Sequence, residues 1–549
     1  MKRPDRLKND LAPWLTGDRR LKRWPGWSGC NTGVYAPGLI ILQIDGLSDT
    51  QFQRALGRRR LPFLRHLMAT QEVVHKPFYS GLPSSTPAVQ AELYYGVKTA
   101  VPAFEFIDRH TRLRHAMFLP ASADTMAHRL RNTGEPLLAG GSSYSNIYAG
   151  GAETARYCAE TMNLESLIRA TNPFRLVFFL FSQIGKLLRI AGYAGVELIL
   201  AMHDFFKGVF AGKDIGKELK FIPTRLFVCA ILRELIRLRV KMDVWRGVPI
   251  IAANFFGYDE QAHRRGPASA FAHWTLKGID GVVKDIYSTA MRSSCRDYRV
   301  VIFADHGQES VETYRRHARK PLKKTIREVL DNNSGTGHRR DADDRLATLY
   351  RRAGNYLLGQ PWTRHRRHQP IAGGSMDTVR ITTMGPLGHL YLPPRIREQI
   401  ASPKAPATLT QLACRLNRRA HIPLVLFEEE GRITAVNDSG THVLSQNPAA
   451  ILGKDHPFLD QVAADLERLC RHSNAGDLVI SGWKPDGCPL SFSVESGAHG
   501  GPGTEETCGF VLLPAELADD QPFLRPMDLR ERILDDRGKR RPRSEHACA

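Results

Sequence analysis

No Cys-x-x-Cys pair occurs in the 549 residues, and the nine cysteines are scattered from Cys30 to Cys548. Neither a zinc ribbon nor a disulfide framework is indicated; scattered free thiols suit a reducing cytoplasm. A secretory leader is missing as well: Lys2, Arg3, Arg6 and Lys8 make a basic start, but no apolar segment follows them. No stretch reaches the roughly 18 uncharged apolar residues of a spanning helix. The nearest is 176–185, continued after Lys186 and Arg189 by 190–196. The wider run 174–210, with Phe178-Phe179 and Phe205-Phe206, reads either as a helical hairpin lying peripherally on the inner membrane face or as a helical insertion packed on the protein's own body. Acidic residues are also short, 56 Asp and Glu against 77 Lys and Arg, a net charge of +21. That balance favours anionic partners: phosphate esters, nucleic acid or an acidic membrane surface. Helix-turn-helix, zinc-finger and RNP-type signatures are lacking, so a basic nucleic-acid-binding protein is the weaker reading and no specific nucleic acid is expected. There is no internal repeat.

What is present is a large potential core, with 42% hydrophobic residues. Residues 1–36 read as a basic N-terminal arm, 37–518 as one catalytic domain with a hydrophobic helical insertion at about 150–245 and an Arg-rich one at 311–375, and 519–549 as a charged, mobile C-terminal tail. Strand 38–44 ends in Asp45-Gly46. Pro83-Ser-Ser-Thr-Pro87 is a turn leading into a helix over 88–95 that Gly96 stops, which puts Thr86 at a helix N-terminus, where backbone N–H groups face any bound anion. Residues 136–139 read as a strand and Gly140-Gly141-Ser142-Ser143 as a loop. In the following helical region Val228, Leu232 and Leu235 face one way and Arg233, Arg237 and Lys241 another, an amphipathic pattern that fits a core-facing helix or a membrane-facing one. Apolar strand 249–255 runs into Asp259 and His263, and strand 300–304 ends on Asp305-His306-Gly307. Further strands are expected at 389–392, 424–427, 477–481, 490–494 and 509–513, and a helix at 458–470. Buried apolar strands alternating with helices indicate an α/β fold, a mainly parallel sheet sandwiched by helices, with the strand C-termini forming one rim.

The polar residues expected on that rim are Asp45, Thr86, Asp259, His263, Asp305, His306 and His499. Each alone has a bland reading: Asp45 as a turn residue, Thr86 as a helix cap, Asp259 and His263 as a surface pair, His499 as a spacer in a Gly-rich loop. Together, three carboxylates, three imidazoles and one hydroxyl form a donor set without thiolates that suits Zn²⁺ or Mn²⁺. Carboxylates brought this close repel one another unless cations stand between them. Two metals about 3.5–4 Å apart can clamp a phosphoryl group during in-line displacement.

In order and context these residues resemble the alkaline phosphatase superfamily, most closely its type I phosphodiesterase/nucleotide pyrophosphatase branch. The resemblance rests on the strand ending in Asp45-Gly46, on Thr86 with Gly96 ten residues on, on the Asp259–Pro267 segment with Ala262 where the family has Gly, on Asp305-His306-Gly307 and on Ala498-His499-Gly500. It implies an alkaline phosphatase-like fold and two divalent metal ions, Zn²⁺ first and Mn²⁺ second. Asp45, Asp305 and His306 would hold one, with Thr86 as a further ligand and nucleophile; Asp259, His263 and His499 would hold the other. His389, in Gly388-His389-Leu390, is the alternative to His499. Ser142, Ser143 and Asn146 are candidate donors to the phosphate. The implied activity is hydrolysis of phosphate esters through a phospho-Thr86 intermediate, with transfer or mutase chemistry on a lipid or sugar headgroup as the alternative. The Phe-Pro-Asn that follows the nucleophile in many relatives is absent, Pro87-Ala88-Val89 standing there, and so is the sulfatase signature.

Overall fold

The computed structural model describes residues 36–161, 227–331, 371–372, 378–401 and 408–538. The 174–210 stretch and most of the 311–375 insertion lie outside them. Among the described residues no helix is long and apolar enough to cross a membrane.

Seven strands form the central sheet: β1 (Gly38–Ile44), β2 (Val73–Tyr79), β3 (Ser142–Tyr144), β4 (Thr154–Arg156), β5 (Ile250–Phe255), β6 (Tyr298–Phe303) and, late in the chain, Cys508–Pro514. β1 lies between β6 and β5, parallel to both, and β3 and β4 extend the parallel array beyond β5. Cys508–Pro514 runs antiparallel between β6 and β2. Every residue of β1 is buried, as a strand covered on both faces must be. Ile40, Leu42 and Ile44 pack on one side with Leu276, Ile279 and Val283; Leu39 and Ile41 pack on the other with Val89, Leu93 and Tyr94. The two-residue period of a strand divides one apolar run between two helical layers.

Five helices matter for the site: α1 (Thr86–Tyr95), α2 (Gly257–Arg265), α3 (Ala270–Ala290), α4 (Leu459–Cys470) and α5 (Pro526–Asp536). All ten residues of α1 are buried, so the helix has no solvent-facing side. Its Gln90 amide donates to Gln43 of β1 (3.0 Å) and to Asn146 (2.9 Å), which fixes α1 against the sheet.

Four details depart from the expectations. The segment 136–139 is a turn, and the strand is Ser142–Tyr144, because that is where the chain meets β5. Residues 380–481 do not extend the parallel sheet. They build a second, six-stranded sheet in which every neighbouring pair is antiparallel. The physical cause is local: Glu430 and Gly431 join two of its strands with φ of +51° and +73°, the geometry of a tight hairpin, which forces reversal. The basic face of helix Arg233–Arg246 is turned inward, where Arg237 bonds Glu234 (2.6 Å) and Lys241 bonds Asp285 of α3 (3.0 Å). The described part of the expected mobile tail contains α5, whose Leu529 and Ile533 are buried. Arg525 bonds Glu92 of α1 through Nε (2.8 Å), so this segment braces the Thr86 helix.

Candidate metal centre

The parallel trio β6–β1–β5 brings three chain segments to one rim. Asp45 follows β1 directly, and its N–H donates to Phe255 O at the end of β5 (3.3 Å). Asp305 and His306 follow β6. Asp259 and His263 are one helical turn apart on α2, which begins right after β5. Gly46 is required twice over: its φ is +71°, and a Cβ there would stand 2.3 Å from Asp259 Oδ1. Gly307 likewise lets Glu505 O approach to within 2.1 Å of where its Cβ would be.

Thr86 enters from the far side of the sheet. Its Oγ1 lies 3.3 Å from Asp45 Oδ1 and 3.3 Å from His306 Nε2. Ser85, at the N-cap, makes no side-chain cap bond, and Ser84 ties the loop elsewhere: its Oγ donates to Gly501 O (2.8 Å) and accepts from Gly500 N–H (3.0 Å). His499 arrives by tertiary contact. A short antiparallel pairing of Gly497–Ala498 with Glu309–Ser310 carries it to the site. There its ring stacks on His306 with centroids 3.9 Å apart, and Nδ1 meets Ser84 O at 2.9 Å.

Two groups of ligand atoms result, each within 4.8 Å: Asp45, Asp305 and His306, and Asp259, His306 and His499. His306 stands between them, a placement the assignment of His306 to one metal did not include. His263 joins through Asp259, Nε2 to Oδ2 3.4 Å, with its ring 5.0 Å from that of His499. All seven rim residues are therefore brought together. The donor set fits a cation. Asp305 is fully buried and neither of its carboxylate oxygens makes a hydrogen bond of good geometry. An unpaired buried carboxylate is costly unless a positive charge faces it. Burial pushes Asp305 up to about 7, the Asp259 charge adding and the Thr86 hydroxyl offsetting only in part. Burial, then the Asp305 and Asp259 charges, raise Asp45 in the same way. Burial is the largest influence on Asp259 and acts to raise it, but the charge and hydrogen bond of His263 with the His499 and His306 charges together outweigh it, and its carboxyl sits well below the usual range. Burial, then the His306 charge, hold His499 well below the usual imidazole value.

Four other candidates lie elsewhere. His389 is buried in the second sheet, with Nε2 3.2 Å from Pro102 O and Nδ1 accepting from Gly476 N–H at 3.1 Å. It belongs to neither ligand group. Ser142, Ser143 and Asn146 are buried behind the site. Asn146 donates to Ser143 Oγ (2.8 Å) and accepts from Gln90, so its capacity is used in holding α1.

Three supporting residues went unread in the sequence. Asn254 donates to Asp45 Oδ2 (2.6 Å), and a lone amide inside an apolar strand was a usable signal. Gln308 donates to Asp259 Oδ1 (2.5 Å) and directly follows Asp-His-Gly. Glu495 meets His263 Nδ1 at 3.1 Å and has no local signal.

No family model and no curated protein matches the chain. Among solved structures it is similar to phosphonoacetate hydrolase from Sinorhizobium meliloti 1021 in complex with phosphonoformate, at 13% identity and a TM-score of 0.45, over 93% of this chain and 100% of that one. It is also similar to an inactive murine ectonucleotide pyrophosphatase/phosphodiesterase 5 in complex with AMP, at 10% identity and a TM-score of 0.44, over 91% and 94%.

Proposed function

We propose that the protein is a two-metal hydrolase of phosphate esters that works through Thr86. The observation that carries this reading is the position of Thr86 Oγ1, buried at the start of α1 and 3.3 Å from both Asp45 and His306, where the two ligand groups meet. A hydroxyl there is oriented by a carboxylate and an imidazole before substrate arrives. Asp45, Asp305 and His306 would hold one divalent cation, and Asp259, His263 and His499 the other. Bound cations of this kind neutralise charge on the phosphoryl oxygens and lower the pKa of a ligating hydroxyl.

Thr86 Oγ attacks phosphorus in line as the ester oxygen departs, and Asp45 Oδ1 and His306 Nε2, each 3.3 Å away, are the acceptors within reach of its proton. Water then takes the phosphoryl group from Thr86 and restores the hydroxyl. The N-terminus of the ten-residue α1 adds partial positive charge beneath the reacting group. Hydrolysis of nitrophenyl phosphate mono- and diesters with added Zn²⁺ or Mn²⁺ tests the proposal. Thr86→Ala should lower turnover by about 10⁴-fold or more; full activity in that variant would sink the mechanism. Product analysis with an acceptor alcohol present separates hydrolysis from transfer.

A further inference from the structure

A histidine can ligate a metal through one ring nitrogen only if the other carries the proton, and the groups around that second nitrogen decide both tautomer and ring angle. His263 is unusually well provided. Its Nε2 faces Asp259, while its Nδ1 has two acceptors: Glu495 Oε2 at 3.1 Å and Gly497 O at 3.0 Å. Two acceptors on one nitrogen leave no place for a lone pair there, so Nδ1 carries an N–H and Nε2, beside Asp259, is the nitrogen that would ligate a cation.

Glu495 is itself held. Its other oxygen accepts from Ser491 Oγ, and the next residue, Ser496, donates its N–H to His263 O at 2.7 Å. The Glu495 side chain is 15% exposed, so its charge is only partly screened by water. The Gly497 carbonyl alone would satisfy the Nδ1 proton. A carboxylate in addition makes the ring a stronger electron donor at Nε2, because the negative charge stabilises positive charge shared onto the imidazole by a cation.

We propose that Glu495 is a positioning residue for the second cation, locking His263 with Nδ1 protonated and Nε2 turned to Asp259. The inference rests on the two-metal reading above. It adds that the two cations are held unequally, since on the other group the corresponding support is the neutral amide of Asn254.

The test is Zn²⁺ titration of the metal-stripped full chain in competition with a chromophoric chelator. The wild type should take up two equivalents. In Glu495→Gln one equivalent should weaken roughly 10–100-fold while the other is unchanged. Glu495→Asp, which keeps the charge, should recover part of the loss, and Ser491→Ala should show a smaller loss at the same equivalent. Two wild-type affinities in Glu495→Gln overturn the role of Glu495 and leave the two-metal reading standing. A wild-type chain that binds no Zn²⁺ or Mn²⁺ overturns both. If Glu495→Gln does not fold, Ser491→Ala decides, and wild-type binding there counts against the proposal.

Discussion

Asp45, Asp305 and His306 leave the ends of two adjacent parallel strands, whereas Asp259 and His263 ride on a helix and His499 on a loop from far along the chain. The strand-end group is the more deeply buried: His306 and Asp305 have no solvent exposure at all, while the Asp259 and His263 side chains are 18% and 26% exposed. The two groups also solve the charge problem differently. Asp259 is compensated by imidazoles, which hold its carboxyl ionised. Asp45 and Asp305 have few compensating partners, and burial pushes both up. The strand-end group is thus the one that most needs a cation. The helix-and-loop group is the one whose geometry must be maintained by neighbours such as Gln308 and Glu495.

That contrast can be broken by substitution. Asp305→Asn should abolish one equivalent of metal and cost several kcal/mol of transition-state stabilisation, roughly 10²–10⁴ in turnover. The same change should make the metal-free protein more resistant to heat, because it removes a fully buried carboxylate whose oxygens make no well-formed hydrogen bond. A metal-free melting temperature that falls instead would show the strand-end group to be compensated after all. Gly46→Ala should be the next most severe. The added Cβ overlaps Asp259 Oδ1, and φ is positive, so the chain should lose about 1–3 kcal/mol of stability and weaken in metal binding at the Asp259 side.

A third test concerns the loop that carries His499. Burial pushes Glu506 up to about 8, with Glu309 adding, and pushes Glu309 up to about 7. Glu506 accepts from Gly501 and Gly503 N–H groups at 2.8 Å each and so shapes this loop. A carboxyl whose folded pKa is raised favours the folded state below its unfolded value near 4.5, and that contribution is lost as pH rises through the folded value. The metal-free protein should therefore lose stability between about pH 4.5 and 8, by several kcal/mol at most, at about 1.4 kcal/mol per pH unit. Denaturant midpoints across this range should flatten in Glu506→Gln; an equally steep profile in the variant would assign the dependence to other groups. The smallest effect is expected at His389. His389→Gln should leave metal stoichiometry and turnover unchanged and cost about 1–2 kcal/mol of stability through its two backbone hydrogen bonds.

How far the site could be read from sequence follows the same division. Asp45, Asp305 and His306 were legible because a strand fixes its own exit, so an apolar run ending in a carboxylate states where that carboxylate will be. Asp259 and His263 were legible as a pair because four residues is one helical turn. His499 was favoured over His389 by its Gly-rich context, a weak local cue. The pairing of Gly497–Ala498 with Glu309–Ser310 is what carries His499 to the ligand groups. Ser142, Ser143 and Asn146 had the right chemistry, and in the structure Asn146 is engaged with Ser143 and with Gln90 of α1. The second sheet shows a missed local cue: Glu430-Gly431 already contained the reversal that separates it from the parallel sheet.

The sequence by itself determined the three middle parallel strands, β1, β5 and β6, and the residue types at their ends, because periodicity and strand exits are local properties. Tertiary structure decided what is not local. It made His306 the residue common to both ligand groups and turned the basic face of Arg233–Arg246 inward onto Asp285. It set α5 against the Thr86 helix and put Glu495 behind His263. Each of these depends on which distant surfaces share a buried volume, and burial, unlike periodicity, is a property of the whole folded chain.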